Sequence, residues 1–348
     1  MGDGHLSAWH PEELEIVGRC PVCASTAHRP LYQNLRDKVY KGTPGEWDFY
    51  RCEACGCGYF DPRPTPQAVG KLYAEYYTHS AQSIPEYHQL SIAGKLRRIL
   101  GNGYRNYRFG TNDRPSSRLG VLVAWLMPRY RALLDAGGRH LPKAKPNARL
   151  LDVGCGSGDF MLLAQRAGWQ CVGVEPDPEA VKVARQRGLS VIEGDINTLH
   201  HQSEAYDGIT LNHVIEHVHH PQAVFSDCYR LLRKGGWLWL ETPNLDSQGH
   251  ARFGADWVGL DIPRHLVVFT YHTLTSLLQQ VGFQRIEPLP YYPLCERVYA
   301  MSYAIATGQS PHHPPPLSPE LLAEARRAER VAQYDVPRRE FIMLRAWK

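Results

Sequence analysis

Two pairs of cysteines, Cys20-Pro21-Val22-Cys23 and Cys52-Glu53-Ala54-Cys55, stand 28 residues apart. Each pair forms a knuckle that offers two thiolates, and four thiolates complete the tetrahedral shell of a structural zinc ion with no open position for chemistry. Cys57 and His28 are substitutes for a single ligand. Cys155, Cys171, Cys228 and Cys295 lack such spacing and read as core or turn residues. A second chemical feature is the run Leu150-Leu151-Asp152-Val153-Gly154-Cys155-Gly156-Ser157-Gly158. Glycines let the backbone turn tightly and approach a ligand, and the helix that follows offers free N–H groups. The dinucleotide fingerprint fails here, because its third glycine would fall on Asp159. A third feature is histidine. His213, His217 and His265 are candidate general bases, since a neutral imidazole titrates near pH 7.

These residues need elements to hold them. From Ala148 the chain alternates short apolar runs with amphipathic ones. Strands are predicted at Arg149 to Val153, Cys171 to Val174, Ser190 to Glu193, Gly208 to Leu211 and Trp237 to Glu241. Helices are predicted at Phe160 to Ala167, Pro178 to Arg187 and Pro221 to Arg233, stopped by Gly168, Gly188 and Gly235. Alternation of this length predicts an α/β fold with a parallel, doubly wound, Rossmann-like sheet. Glu175 and Pro176 then end the second strand, where a carboxylate can accept both hydroxyls of a ribose. Asp195 ends the third, placed for an adenine amino group. Toward the C-terminus, Gly282 to Pro288 and Arg339 to Trp347 read as an antiparallel pair. They are interrupted by a helical insertion over about 294–335, with helices at Leu294 to Ala306 and Glu320 to Ala332.

Upstream, residues 1–66 read as a zinc-ribbon module with short strands such as Trp47 to Arg51. Residues 67–145 read as a helical, basic connector that caps the acceptor. It carries one helix from Gln67 to Tyr77, a polar stretch over 78–117 containing Gly101-Asn102-Gly103, and another helix from Leu119 to Ala136. Residues 146–348 form the third unit. At about 100–200 residues per domain, a chain of 348 residues suits two or three units.

The glycine-rich turn, Glu175, Asp195 and the end of the fourth strand, taken together, resemble the class I S-adenosylmethionine-dependent methyltransferases over about residues 146–290. The resemblance implies a seven-stranded sheet whose last strand is antiparallel. It implies that Asp152, Gly154, Cys155, Gly156 and Gly158 line the methionine and ribose portion of S-adenosylmethionine. Glu175 would hold the ribose, Asp195 and Ile196 the adenine, and Asn212 and His213 would lie near the sulfonium. The string His213-Val214-Ile215-Glu216-His217 matches the inverted zincin signature, but it follows a strand where that signature needs a helix. It is closer to the ubiquinone-type O-methyltransferases, which carry Glu-His at this point and in some members bind a divalent ion; His213 stands in place of an acid there. Trp257 to Leu266, which includes His265, resembles a segment of methyltransferases that modify sugars and polysaccharides. The zinc module before such a core resembles the sugar C-methyltransferases of deoxysugar pathways. Only about 60 residues follow Pro288 here, fewer than those enzymes carry, which leaves O- and N-methylation open.

The whole chain narrows the choices. It is 43% hydrophobic and 21% charged, ordinary for a globular protein, so disorder, collagen and a disulfide scaffold are excluded. Its longest apolar stretch, Leu119 to Met127, is too short to span a bilayer, which takes about 20 residues. No export signal is visible, Leu6 breaks the myristoylation pattern, and no internal repeat occurs, so a reducing, cytoplasmic setting is expected. The net charge of +4 is unevenly spread. Residues 85–145 hold twelve Lys and Arg against Glu86, Asp113 and Asp135, which suggests that this segment meets an anion. The first reading is therefore methyl transfer to a small or carbohydrate acceptor, such as a nucleotide sugar whose diphosphate meets the basic segment. A second is a nucleic-acid methyltransferase, since some rRNA enzymes place a zinc ribbon before this core and Tyr104, Tyr107, Phe109 and Tyr130 lie in the basic stretch. A third is a cofactor-binding scaffold without turnover.

Overall fold

The computed structural model describes residues 9–40, 42–73 and 87–348. The first unit is built from short strands. β1 (Leu14–Glu15) pairs with β5 (Arg63–Pro64), while β2 (His28–Leu35), β3 (Trp47–Cys52) and β4 (Gly58–Phe60) form an antiparallel run. Trp47 and Phe49 alternate inward on β3, as a half-buried strand requires. Gly58, on β4 opposite Arg51, must be glycine, because a Cβ there would come within 2.3 Å of the Phe49 ring. The fourth strand of this sheet comes from far along the chain, as Val267 and Val268 pair with Tyr59 and Gly58. The first unit and the later one thus share a sheet, and Cys20, Cys52, Cys57 and Tyr59 share one apolar core with Leu151, Val174 and Leu240.

The connector differs from the sequence reading. The Gly101-Asn102-Gly103 stretch lies inside α1 (Ile92–Phe109), capped by Ser91 and closed by Gly110 with φ +83°. These residues are buried because α2 (Leu119–Leu126) packs tightly on them. A Cβ on Gly103 would meet the Ser117 carbonyl oxygen at 1.7 Å, and one on Gly120 would meet that of Leu100 at 1.9 Å. The single helix expected from Leu119 to Ala136 is two. Met127 ends α2, and Pro128 opens α3 (Pro128–Gly137), because proline cannot donate to the preceding turn and starts a helix well. Of the helix expected from Gln67 to Tyr77, Gln67 and Ala68 form a turn that leads into a 3-10 turn at Val69–Tyr73, and residues 74–77 lie outside the described residues.

The large sheet follows. Its strands are β6 (Arg149–Val153), β7 (Gln170–Glu175), β8 (Val191–Glu193), β9 (Tyr206–Asn212), β10 (Leu232–Pro243), then, beyond β11 (Val267–Val268), β12 (Ile286–Pro288) and β13 (Phe341–Trp347). Their order across the sheet is β12-β13-β10-β9-β6-β7-β8. β13 is antiparallel to both its neighbours, and the remaining pairs are parallel. This is the α/β, doubly wound, seven-stranded arrangement expected, with the reversed strand at Phe341–Trp347. The helices that flank it are α4 (Asp159–Arg166), α5 (Pro178–Gln186), α6 (Pro221–Leu231), α7 (Gln248–Phe253) and α8 (Tyr271–Val281). α6 ends two residues earlier than expected, as Leu232 already pairs with Tyr206 before an irregularity at 233–236. Gly282 caps α8 at φ +118°, so the strand expected from Gly282 begins only at Ile286. α9 (Cys295–Ala306) and α10 (Pro319–Tyr334) form the insertion between β12 and β13 and bury Cys295, Tyr299, Ala325 and Ala328 between them.

Candidate active site

The strand order reverses between β6 and β9, and in open α/β sheets ligands bind beyond the carboxyl ends of strands at such a point. Gly154, Gly156 and Gly158 leave β6 there with φ of +67°, +53° and +84°, values that glycine adopts without strain. A Cβ on Gly156 would meet nothing within 4 Å, so the turn faces open space. Glu175 ends β7 and braces the turn. Its Oε2 accepts from the Gly156 amide at 2.8 Å and its Oε1 from the Asp177 amide at 3.1 Å, and burial raises its carboxyl above the ordinary range. Asp195 is exposed and caps the turn at Ile196–Leu199 by accepting from the Asn197 amide, while Ile196 is buried. Pro176 is exposed, and Asn212 is half-buried at the end of β9.

Asp152 is more enclosed than expected of a ligand-lining residue. It is 0% exposed, and its Oδ1 takes hydrogen bonds from Arg139 and, at 2.7 Å, from Thr210. Its Oδ2 is buried without a partner. Arg139 has no sequence signal of its own. It sits at φ +47° after α3 and lies 3.9 Å above the Phe160 ring. Arg139, Phe160, Asn212, Glu241 and Tyr292 line a cavity of about 460 Å³ at this edge of the sheet. The open glycine turn, the orphaned Asp152 oxygen and the Glu175 carboxylate fit a nucleoside with a polar tail, as S-adenosylmethionine is.

The three histidines differ in state. His213, at φ +51°, places Nδ1 3.2 Å from Glu216 and Nε2 3.4 Å from Glu241. Burial would lower its pKa, but the hydrogen bonds to these two carboxylates raise it to about 10. It is therefore an imidazolium at neutral pH and has no lone pair to accept a proton. His217 behaves oppositely. Burial, with repulsion from His265, lowers its pKa to about 4. Its Nδ1 lies 3.0 Å from the Arg264 carbonyl oxygen and 2.9 Å from the Tyr73 hydroxyl. A carbonyl only accepts, so Nδ1 carries the proton and Nε2 keeps its lone pair. His265 Nδ1 donates in the same way to the Gly259 carbonyl at 2.8 Å. The two rings meet edge to face at 4.7 Å.

Glu216, unremarked by the sequence beyond its place in the His-Glu-His string, is the fixed charge of the group. Burial alone would raise its carboxyl, and the His213 hydrogen bond and the neighbouring imidazoles hold it at about 2. Thr242 donates to its other oxygen at 3.0 Å. Glu216, His217 and His265 offer ligand atoms within 4.8 Å of one another, a spacing at which they could share one cation. Arg264 orients this cluster from behind. It is 0% exposed and donates to Asp37 at 2.9 and 3.0 Å and to Asp261 at 2.7 and 2.9 Å. That ties the first unit to the segment bearing His265.

Cys20, Cys23, Cys52 and Cys55 converge, with Sγ separations of 3.6 Å for Cys20–Cys55 and for Cys23–Cys52. Zinc–sulfur bonds of about 2.3 Å place tetrahedral sulfurs about 3.8 Å apart, so the set fits one zinc ion. Cys57 Sγ lies 3.3 Å from Cys20 and is fully buried. His28 instead packs edge-on against Tyr50.

The model of the methyltransferase domain family matches residues 127–287. This segment is similar to methyltransferase domains. A ubiquinone biosynthesis O-methyltransferase of Xanthomonas oryzae pv. oryzae is 33% identical over 166 residues, which are 45% of this chain and 66% of that protein. Its counterpart in Burkholderia pseudomallei is 27% identical over 45% of this chain and 74% of that protein. The chain thus spans just under two thirds of the length of the first of these relatives, and the family-model match at residues 127–287 leaves the cysteine-bearing unit outside. Among solved structures, an S-adenosylmethionine-dependent methyltransferase from Archaeoglobus fulgidus aligns over 66% of this chain and 99% of its own at 22% identity, with a TM-score of 0.45.

Proposed function

We propose that this methyltransferase carries a methyl group from S-adenosylmethionine to a small-molecule or carbohydrate acceptor, with His217 or His265 as the general base. The observation that carries the reading is the pair of imidazoles at the sheet edge, each with Nδ1 donating to a carbonyl; the Nε2 of His217 is left to accept, and that of His265 lies 3.8 Å from Asp261 and 3.9 Å from Glu216. S-adenosylmethionine supplies an electrophilic methyl group on a sulfonium. The chain's own part is to hold the two partners in line and to take a proton from the acceptor. Asp152, Gly154, Cys155, Gly156, Gly158, Glu175, Pro176, Asp195, Ile196, Asn212 and His213 would form the cofactor side. His213, as a cation, suits a place beside carboxylates better than the role of base. The names of the relatives point to an oxygen as the accepting atom.

Within this reading residues 1–66 are a zinc-bearing module on Cys20, Cys23, Cys52 and Cys55, residues 67–145 a cap, and residues 146–348 the transfer unit. A second reading is favoured by one observation, the grouping of Glu216 with His217 and His265. There Glu216, His217 and His265 would hold a divalent cation, which would supply Lewis-acid activation of the acceptor oxygen. Metal analysis separates the two, since the first predicts one bound ion per chain and the second two. Turnover is tested by incubating the protein with S-adenosylmethionine and panels of hydroxylated small molecules, nucleotide sugars and lipid-linked glycans. A mass gain of one methylene on one class is the expected result. Gain on RNA alone would replace the reading.

A further inference from the structure

α2 is inverted relative to an ordinary surface helix. It buries its small residues, Gly120 and Ala124, against α1, and exposes its large ones. Leu119, Leu122, Trp125, Leu126 and Met127 are between 55% and 73% exposed. The contacts of Gly103 with Ser117 and of Leu100 with Gly120 set α1 and α2 antiparallel. As α2 advances, α1 therefore retreats toward Leu96 and Ile92, which are 56% and 88% exposed. Solitary exposed apolar residues need no explanation, but a row of this kind marks an interaction surface.

The charges around the row are of one sign. Lys95, Arg97, Arg118, Arg129 and Arg131 flank it and make no ion pair among the described residues. Arg131 stacks on the Trp125 ring at 4.5 Å. The two acids between Ile92 and Gly137 are already engaged, Asp113 with Arg105 and with Arg166 of α4, and Asp135 with Tyr104 and Arg108. An apolar ridge with a tryptophan at one end and a basic border is the chemistry of an interfacial element, which sinks its ridge among acyl chains and sets its cations on anionic headgroups. A single-stranded nucleic acid would meet the cations and one tryptophan, but it would leave the aliphatic ridge in water. Among the described residues no helix is long and apolar enough to cross a membrane, and the contact proposed is a peripheral one.

We propose that the α1–α2 face docks the protein on an anionic lipid surface. Leu133 of α3, which leads directly from α2, lines the cavity at the sheet edge. Docking would hold that cavity beside the lipid interface. This surface is argued from exposure and charge and stands apart from the methyl-transfer reading, so its test needs no turnover. The full chain is mixed with vesicles of phosphatidylcholine and phosphatidylglycerol, or of phosphatidylcholine alone, and sedimented. Binding to the mixed vesicles, weakened by salt and absent from the neutral ones, is expected. Trp125→Glu with Leu126→Glu should abolish it. Arg118→Ala with Arg129→Ala should lower partitioning about tenfold or more, with melting temperature unchanged in both because all four side chains are exposed. Absence of wild-type binding to mixed vesicles overturns the proposal. So does binding that the ridge variants leave intact, a dimer that the same variants dissociate while vesicles are ignored, or binding only to RNA.

Discussion

Glu175 shows how one side chain serves two tasks. Its carboxylate takes the Gly156 and Asp177 amides, and in the proposed function it also takes the ribose hydroxyls. Glu175→Ala should therefore weaken binding of S-adenosylhomocysteine by about 1–3 kcal/mol, read by calorimetric titration. An unchanged dissociation constant would remove Glu175 from the site. The base is checked by pH as well as by substitution. Folding lowers the His217 pKa from 6.5 to about 4, so its charged form gathers only as pH falls through about 4. The acid limb of kcat/KM should then lie near pH 4, with a plateau through the range where an ordinary histidine would titrate. His217→Ala should lower kcat by about 10²–10⁴ and leave cofactor affinity nearly unchanged. An acid limb at the ordinary histidine pKa, or full turnover in His217→Ala and His265→Ala alike, would contradict the assignment. His213, His217 and His265 were visible in the sequence as candidates, but their states were not. Those states depend on Glu241, Gly259 and Arg264, whose carboxylate and carbonyls reach the rings only through the fold.

At the scale of elements, the strands and helices from Arg149 to Glu193 were legible because each apolar run and glycine stop acts locally. The same signals misled in the connector. Gly101 and Gly103 punctuate a sequence read alone, yet inside α1 Gly103 lets the backbone that leads into α2 approach to contact, and Gly101 leaves room for the Tyr130 hydroxyl. Pro128, in turn, divides what periodicity alone joins. Gly103→Val should expose this. Its first side-chain carbon would lie 1.7 Å from the Ser117 oxygen. Overpacking of that kind costs roughly 1–3 kcal/mol or more, read as a lowered denaturation midpoint. A midpoint equal to wild type would mean that α1 and α2 do not pack as described. Pairing of β11 with β4 joins positions about 200 residues apart in sequence, and no local pattern announces a strand of two residues.

At the scale of the whole molecule, the cysteine cluster and the part bearing the seven-stranded sheet are joined. Arg264 is clamped by Asp37 from one side and Asp261 from the other, and its carbonyl fixes the proton on His217. A buried charge pair of this kind is costly to break, about 3–5 kcal/mol when one partner is removed, which makes it a firm strut between the two units. The spacing of the cysteines was fully legible in the sequence, since both knuckles are local, while the strut links residues 227 apart. Metal analysis of protein never exposed to chelator should give one zinc per chain, lost in Cys20→Ser or Cys55→Ser with lower stability of the first unit. Content well below one would refute the zinc assignment. The central claim is that the glycine turn beyond β6 holds S-adenosylmethionine, and it is tested most directly by titrating S-adenosylhomocysteine into the wild type and into Gly156→Val. Valine at that φ is strained, and its side chain would fill the open space at the turn. One site per chain is expected in the wild type and none in the variant. Equal affinity in both proteins, or no binding to the wild type, would contradict it.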